Sequence, residues 1–243
     1  MNQNKPIIAT MTGEVFQPVR VFYKMYDKAQ VTKIFRSLSC MKFDKFEDRW
    51  VWEFWGETKN FKFDKPYKSI PKHLRPIVLG SIFSREDDEM HLDVGSIERA
   101  VKAIKFFDKR INRTVAEVTN IGISNKILSD KADHPGSNFD EIFKDVEFVD
   151  PVEKMDKMKA EHGDDFLLKI MEESQDFLQK KTKPKFEKAE ILPANFYDDG
   201  IELLQNTLKM RQMVAFEHFR GNTDYSLADV INQMTGVGSL PER

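Results

Sequence analysis

Glu86-Asp87-Asp88-Glu89, followed by His91 and Asp93, places four carboxylates beside an imidazole and a fifth carboxylate. Brought together, such groups suit divalent-metal binding or general acid–base work. A simpler arrangement explains the same letters. The acidic run makes a turn, and Met90-His91-Leu92-Asp93-Val94 alternates in period two, a strand with His91 and Asp93 on its outward side. That is the preferred reading. Glu217-His218 with Arg220 is read in the same way, with His218 near a helix end interacting with the last carbonyls.

No other pattern points to catalysis. The five histidines (His73, His91, His134, His162 and His218) show no HxH, HxxxH or cysteine-paired spacing, so no zinc motif is present and no metal or cofactor is expected. Neither GxxxxGK[ST] nor GxGxxG occurs. The near miss Gly236-Val237-Gly238 follows a helix with no strand before it. There is no GxSxG elbow, and Gly80-Ser81 lies inside an apolar strand-like run where Ser81 is a small packing residue. The lone Cys40 reads as a buried structural thiol. No catalytic residue is assigned.

The segment from residue 42 to 75 has a different chemistry. RWVWEFWG, residues 49 to 56, holds all three tryptophans among many lysines. Aromatics on an exposed sheet face, with basic residues along a backbone track, bind single-stranded nucleic acid by stacking. In a regular strand Trp50, Trp52 and Phe54 share one face, and Val51, Glu53 and Trp55 the other. Candidate binding residues are therefore Trp50, Trp52, Phe54, Arg49, Lys59 and Lys62. The plainer reading is that these aromatics are core.

A third class leaves no spacing motif. Methionine and exposed aromatics mark protein-binding hot spots, and the C-terminal half carries Met155, Met158, Met171, Met210, Met213 and Met234. An acidic stretch from 139 to 165 offers a docking surface for a basic partner. Residues 20–80 carry 14 Lys/Arg against 7 Asp/Glu, and residues 130–176 carry 6 Lys against 15 Asp/Glu, so the net charge of −2 hides a gradient. Such a gradient steers a charged partner or lets the two segments attract.

The elements that position these residues follow from periodicity. A strand is expected over 19–25 after Pro18, then a helix over 28–38 with Asp27 as N-cap and Val31, Ile34, Phe35 and Leu38 on one face. CMKFDKF and WVWEFW flank a polar turn and form a hairpin. Residues 56–75, with Pro66 and Pro71, read as an irregular basic loop with a short strand at 60–63. Strands follow at 76–84 and 90–94. Ser96 caps a helix over 97–111 whose apolar face is Ile97, Val101, Ile104, Phe107 and Ile111, and 115–123 is a further strand.

This order predicts an α+β fold, a mostly antiparallel sheet with helices on one face, followed by a helical C-terminal region. The domains expected are 1–130, α+β, and 139–243, a helical subdomain or cap, joined by a polar linker at 129–138. Within the second, Leu167, Ile170, Met171, Ser174 and Leu178 trace one helix face. Asp198-Asp199 open a long helix that Gly221 ends, and Asp224 caps a last one.

With 40% hydrophobic residues, including 20 Phe, the chain can fill a sizeable core. No run approaches the roughly 18 apolar residues of a membrane span, and the start lacks a secretory pattern, so a cytoplasmic location is expected.

CMKFD, RWVWEFW, RPIVLGSIF, SIERAVKAIKFFDKRI and AEVTNIGISNKIL, between residues 40 and 128, resemble a group of uncharacterised conserved proteins of cyanobacteria. The resemblance implies a cyanobacterial cytosolic setting and carries no activity or site residue. The function expected is a soluble, non-catalytic protein-interaction or assembly factor. The alternatives are single-stranded RNA binding through 42–75, and an enzyme whose site gathers dispersed carboxylates.

Overall fold

A computed structural model describes residues 6–84, 86–128, 138–146, 148, 151–179 and 189–235. The chain enters through β1 (Val19–Met25), α1 (Lys28–Ser37), β2 (Met41–Asp44), β3 (Arg49–Glu53), β4 (Val78–Phe83) and β5 (Glu89–Val94). It continues through α2 (Ile97–Asp108), β6 (Ala116–Ser124), α3 (Phe139–Phe143), α4 (Pro151–His162), α5 (Phe166–Leu178), β7 (Ala189–Pro193), α6 (Phe196–Phe219) and α7 (Leu227–Thr235). The strands form one seven-stranded sheet in the order β2-β3-β4-β5-β1-β6-β7, and each neighbouring pair is antiparallel. The expected α+β class with a helical C-terminal region is therefore the observed one.

Register sorts the side chains into two layers. Val21 lies opposite both Leu92 and Ile121, and Trp52 opposite Gly80, so these residues share one face. That face carries the core: Val19, Val21, Trp52, Leu92, Ile121 and Ile123 are all fully buried. Each such side chain contributes about 1.5–3 kcal/mol by leaving water. Gly80 is needed where it stands, because a Cβ would come within 2.7 Å of the Asp93 carbonyl and a Val94 methyl.

The helices that cover this face start where their caps dictate. Asp27 accepts a 2.8 Å hydrogen bond from the Gln30 amide, and Ser96 accepts one of 3.1 Å from Arg99. Helix α1 buries Val31 and Phe35, and α2 buries Ile97, Val101, Ile104, Phe106 and Phe107. Helix α6 packs beside α2 and adds Ile201, Leu204 and Leu208 to the same core. On the opposite face short α3 packs on the sheet, touching β6 and β7.

Four details depart from expectation. The region after residue 139 is not all helical: β7 joins the sheet edge, a strand too short and too soon ended by Pro193 to show period two. Residues 60–63 form no strand, and Phe61 and Phe63 instead pack on the core from a loop. Ser226 rather than Asp224 starts α7, since the Asp229 carboxylate accepts from both its amide (2.8 Å) and its hydroxyl (2.9 Å). In α5 the buried residue is Phe166, whereas Leu167 and Met171 lie in solvent. FLLKIM is apolar on nearly every side, so spacing alone does not fix which face turns inward. The linker expected at 129–138 lies, except for Asn138, outside the described residues.

Candidate functional site

The six residues expected to bind are not gathered into one surface. Trp52 is fully buried, its ring within 6 Å of Phe61, Phe106 and Phe107. Phe54 is also fully buried, edge-on to Phe63 and Tyr67 at 5.1 Å each. Neither offers a face to a base, because Trp52 points toward α2 and Phe54, just past β3, is enclosed by Phe63 and Tyr67. Arg49 lies on the other side of the strand, where it donates to Ser81 (3.1 Å) and pairs with Glu47 (3.1 Å) and Asp44 (3.4 Å). Lys59 sits over the rings of Trp55 (5.0 Å) and Tyr67 (5.4 Å), and Lys62 is exposed. Trp50 is half-buried and belongs to a different feature.

That feature is a groove of about 280 Å³ between α1 and the β2–β3–β4 edge. Its floor is apolar: Met25, Val31, Phe35, Trp50, Ile82 and Met90, with Phe43 on its wall. Trp50 is held tilted between Phe35 (5.5 Å) and Phe43 (5.1 Å). The rim is polar, formed by Lys28, Thr32, Arg36, Asp48 and Ser84. Lys28 is drawn aside by Asp87 at 2.9 Å, while Arg36 makes no ion pair among the described residues.

The hairpin that walls the groove is set by its turn. The Asp44 carboxylate accepts from the Phe46 amide at 3.0 Å, and that bond, with others from the Glu47 amide and Arg49, holds its pKa below the ordinary carboxylate value. Asp48 takes a left-handed backbone, φ 47°, which an aspartate tolerates better than most residues. The outcome is that Phe46 projects from the tip at full exposure and Phe43 is 42% exposed. The sequence signal that points here is an aromatic inside the polar turn Lys45-Phe46-Glu47-Asp48.

The sheet's second face carries the residues first singled out for chemistry. Register lines up Arg49, Phe83, His91 and Phe22 in one rung, and Val51, Ser81, Asp93, Arg20 and Gly122 in the next. His91 and Asp93 do face away from the core, yet both are buried. Arg20 grips Asp93 through two hydrogen bonds, 2.7 and 2.8 Å, and reaches Asp140 of α3 at 2.8 Å. Burial opposes the Arg20 charge, but these bonds outweigh it and raise its pKa. Phe143 of α3 lies under the guanidinium at 5.3 Å and against Gly122. The His91 ring stacks on Phe83 at 5.3 Å.

This cluster anchors α3. Of the acidic turn, Asp87 pairs with Lys28 and Asp88 with Lys24 on the surface, whereas Glu86 and Glu89 line, with Arg20 and His91, a pocket of about 420 Å³. Among the described residues no three His, Cys, Asp or Glu are placed to hold a metal ion. His218 bonds the Tyr225 carbonyl at 2.7 Å, and His134 lies outside the described residues. Cys40 is buried, and its thiol is pushed up to about 12 by burial and by the neighbouring Glu57 carboxylate.

Comparison with family models, with curated proteins and with solved structures returned no match to this chain. Its function has to be read from its own surfaces. Among the described residues no helix is long and apolar enough to cross a membrane.

Proposed function

We propose that this protein is an interaction or assembly factor that docks a protein partner at the groove between α1 and the β2–β3 hairpin. One observation carries the reading: the half-buried Trp50, walled by Phe43 and Phe35, lies open in a groove of about 280 Å³, on the hairpin whose turn carries the fully exposed Phe46. Aromatic side chains held rigid around a pocket and rimmed by charge are what binding hot spots consist of. The groove suits one or two apolar anchors of a partner helix, with Arg36 favouring an acidic flank. The cytosolic, cyanobacterial setting implied by the sequence resemblance is part of this proposal.

The test uses the full chain as immobilised bait, beside an Arg36→Glu/Phe43→Ser variant. A protein retained in stoichiometric amount by the first and lost from the second supports the reading. Equal retention on both, or none on either, overturns it.

A second reading keeps nucleic acid as the partner, at a different spot from Trp50–Phe54. Residues 59–75 carry Lys59, Lys62, Lys65, Lys68, Lys72 and Arg75 against Asp64 alone, and Trp55 beside them is 45% exposed. Two of these cations already cover aromatic faces, Lys59 on Trp55 and Arg75 on Tyr67 at 4.7 Å. A base stacking on Trp55 must displace Lys59. Binding of a single-stranded RNA oligonucleotide that weakens steeply with salt supports this reading, and no binding at low salt ends it.

A further inference from the structure

Helix α5 presents an apolar ridge that nothing among the described residues covers. Leu167 is 69% exposed, and Leu168 and Met171 are each 62% exposed. Spacings of three and four residues put them side by side, as anchors that enter a groove together. Helix α5 packs on α4 and α7, whereas α1 packs on β2, so ridge and groove belong to different parts of the molecule.

The two features complement each other in charge as well as shape. Beside the ridge stand Asp165 and Glu172, both exposed; Glu172 is paired with Lys169 at 3.5 Å, and Asp165 makes no ion pair among the described residues. At the groove rim Lys28 is held by Asp87 and Asp48 adds a carboxylate, while Arg36 makes no ion pair among the described residues. Arg36 at the groove and Asp165 at the ridge are thus charges of opposite sign without an ion-pair partner among the described residues, in the sense of the gradient along the sequence, basic over 20–80 and acidic over 130–176. A concave aromatic site and a convex Leu/Met helix of opposite charge are the two halves of a helix-in-groove contact.

We infer that the partner at the groove is a second copy of this chain, which inserts the Leu167–Leu168–Met171 ridge of its α5. This rests on the docking reading above and names its occupant. Ridge and groove are different patches, so the contact is head-to-tail: every bound copy leaves one ridge and one groove open, and assembly grows with concentration unless the rotation closes a ring.

That asymmetry gives a decisive experiment by sedimentation or light scattering of full-length chains at about 1–100 µM, the range where modest interfaces fill. One variant loses the groove, Arg36→Glu/Phe43→Ser, and another loses the ridge, Leu168→Glu/Met171→Glu. Arg36, Phe43, Leu168 and Met171 are all exposed, so circular dichroism should match the wild type. The wild type should gain mass with concentration. Each variant alone should stay a monomer, and a 1:1 mixture should give a dimer, through the intact groove of one and the intact ridge of the other.

A ridge variant that still associates by itself overturns the assignment of the ridge, and a groove variant that does so overturns the docking site itself. A wild type that remains monomeric throughout overturns self-assembly; stoichiometric, groove-dependent capture of a different protein then leaves the docking reading standing with another occupant.

Discussion

Arg20 and Asp93 face each other across β1 and β5 and are joined by two hydrogen bonds, with only 8% and 6% of their side chains exposed. A buried pair of this kind is destabilising to break, because the remaining charge stays out of water. Asp93→Ala should lower the stability to urea by about 3 kcal/mol. Asp140→Ala removes only the half-exposed third partner and should cost about 1 kcal/mol or less. A larger loss from Asp140→Ala than from Asp93→Ala contradicts this order.

The tryptophans should separate by stability. Trp52→Ala opens a cavity among Phe61, Phe106 and Phe107 and is expected to cost about 4 kcal/mol. Trp50→Ala only widens a groove already open to solvent, and should cost less than half as much. Equal losses in denaturant titrations would mean that Trp50 is as enclosed as Trp52.

Cys40 should be unreactive in the native protein. Its thiol is fully buried and titrates at about 12, so almost no thiolate exists near neutrality. Iodoacetamide at pH 8 should leave the mass of the folded chain unchanged and modify one site after unfolding. Rapid native modification contradicts the packing described.

Glu57 fixes the turn that holds Cys40 in place, accepting from the Ser39 amide (3.1 Å), the Ser39 hydroxyl (3.0 Å) and the Cys40 amide (2.9 Å). Partial burial works against the charge, but these bonds prevail and bring its pKa down to about 2 from 4.5. A depressed folded-state pKa adds stability above the unfolded value, and that stability is lost as pH falls from about 4.5 through about 2. Glu57→Gln should therefore flatten the acid limb of the stability profile in that window. An unchanged limb would show that Glu57 is not held in this network.

Where the sequence was legible and where it was not has a physical pattern. Caps and periods act locally, so Asp27, Ser96, the α2 stripe and the alternation of β1 and β5 are readable without a structure. Alternation also puts His91 and Asp93 on the side away from the helices. It does not say that Arg20 and α3, from opposite directions in sequence, will bury them there. Trp50 and Trp52 share a face as period two requires, yet α2 covers one and the end of α1 leaves the other in a groove. The groove itself joins α1, the β2–β3 hairpin and β4, and no spacing rule spans three elements.

Whether the groove beside Trp50 binds protein is decided by a photo-reactive amino acid at position 46, in the exposed turn of the hairpin that walls the groove, in the full-length chain. A discrete protein adduct is expected on illumination in lysate or at high concentration of the chain, lost when Arg36→Glu and Phe43→Ser are added. No adduct, an adduct to nucleic acid, or a protein adduct indifferent to those substitutions would contradict it.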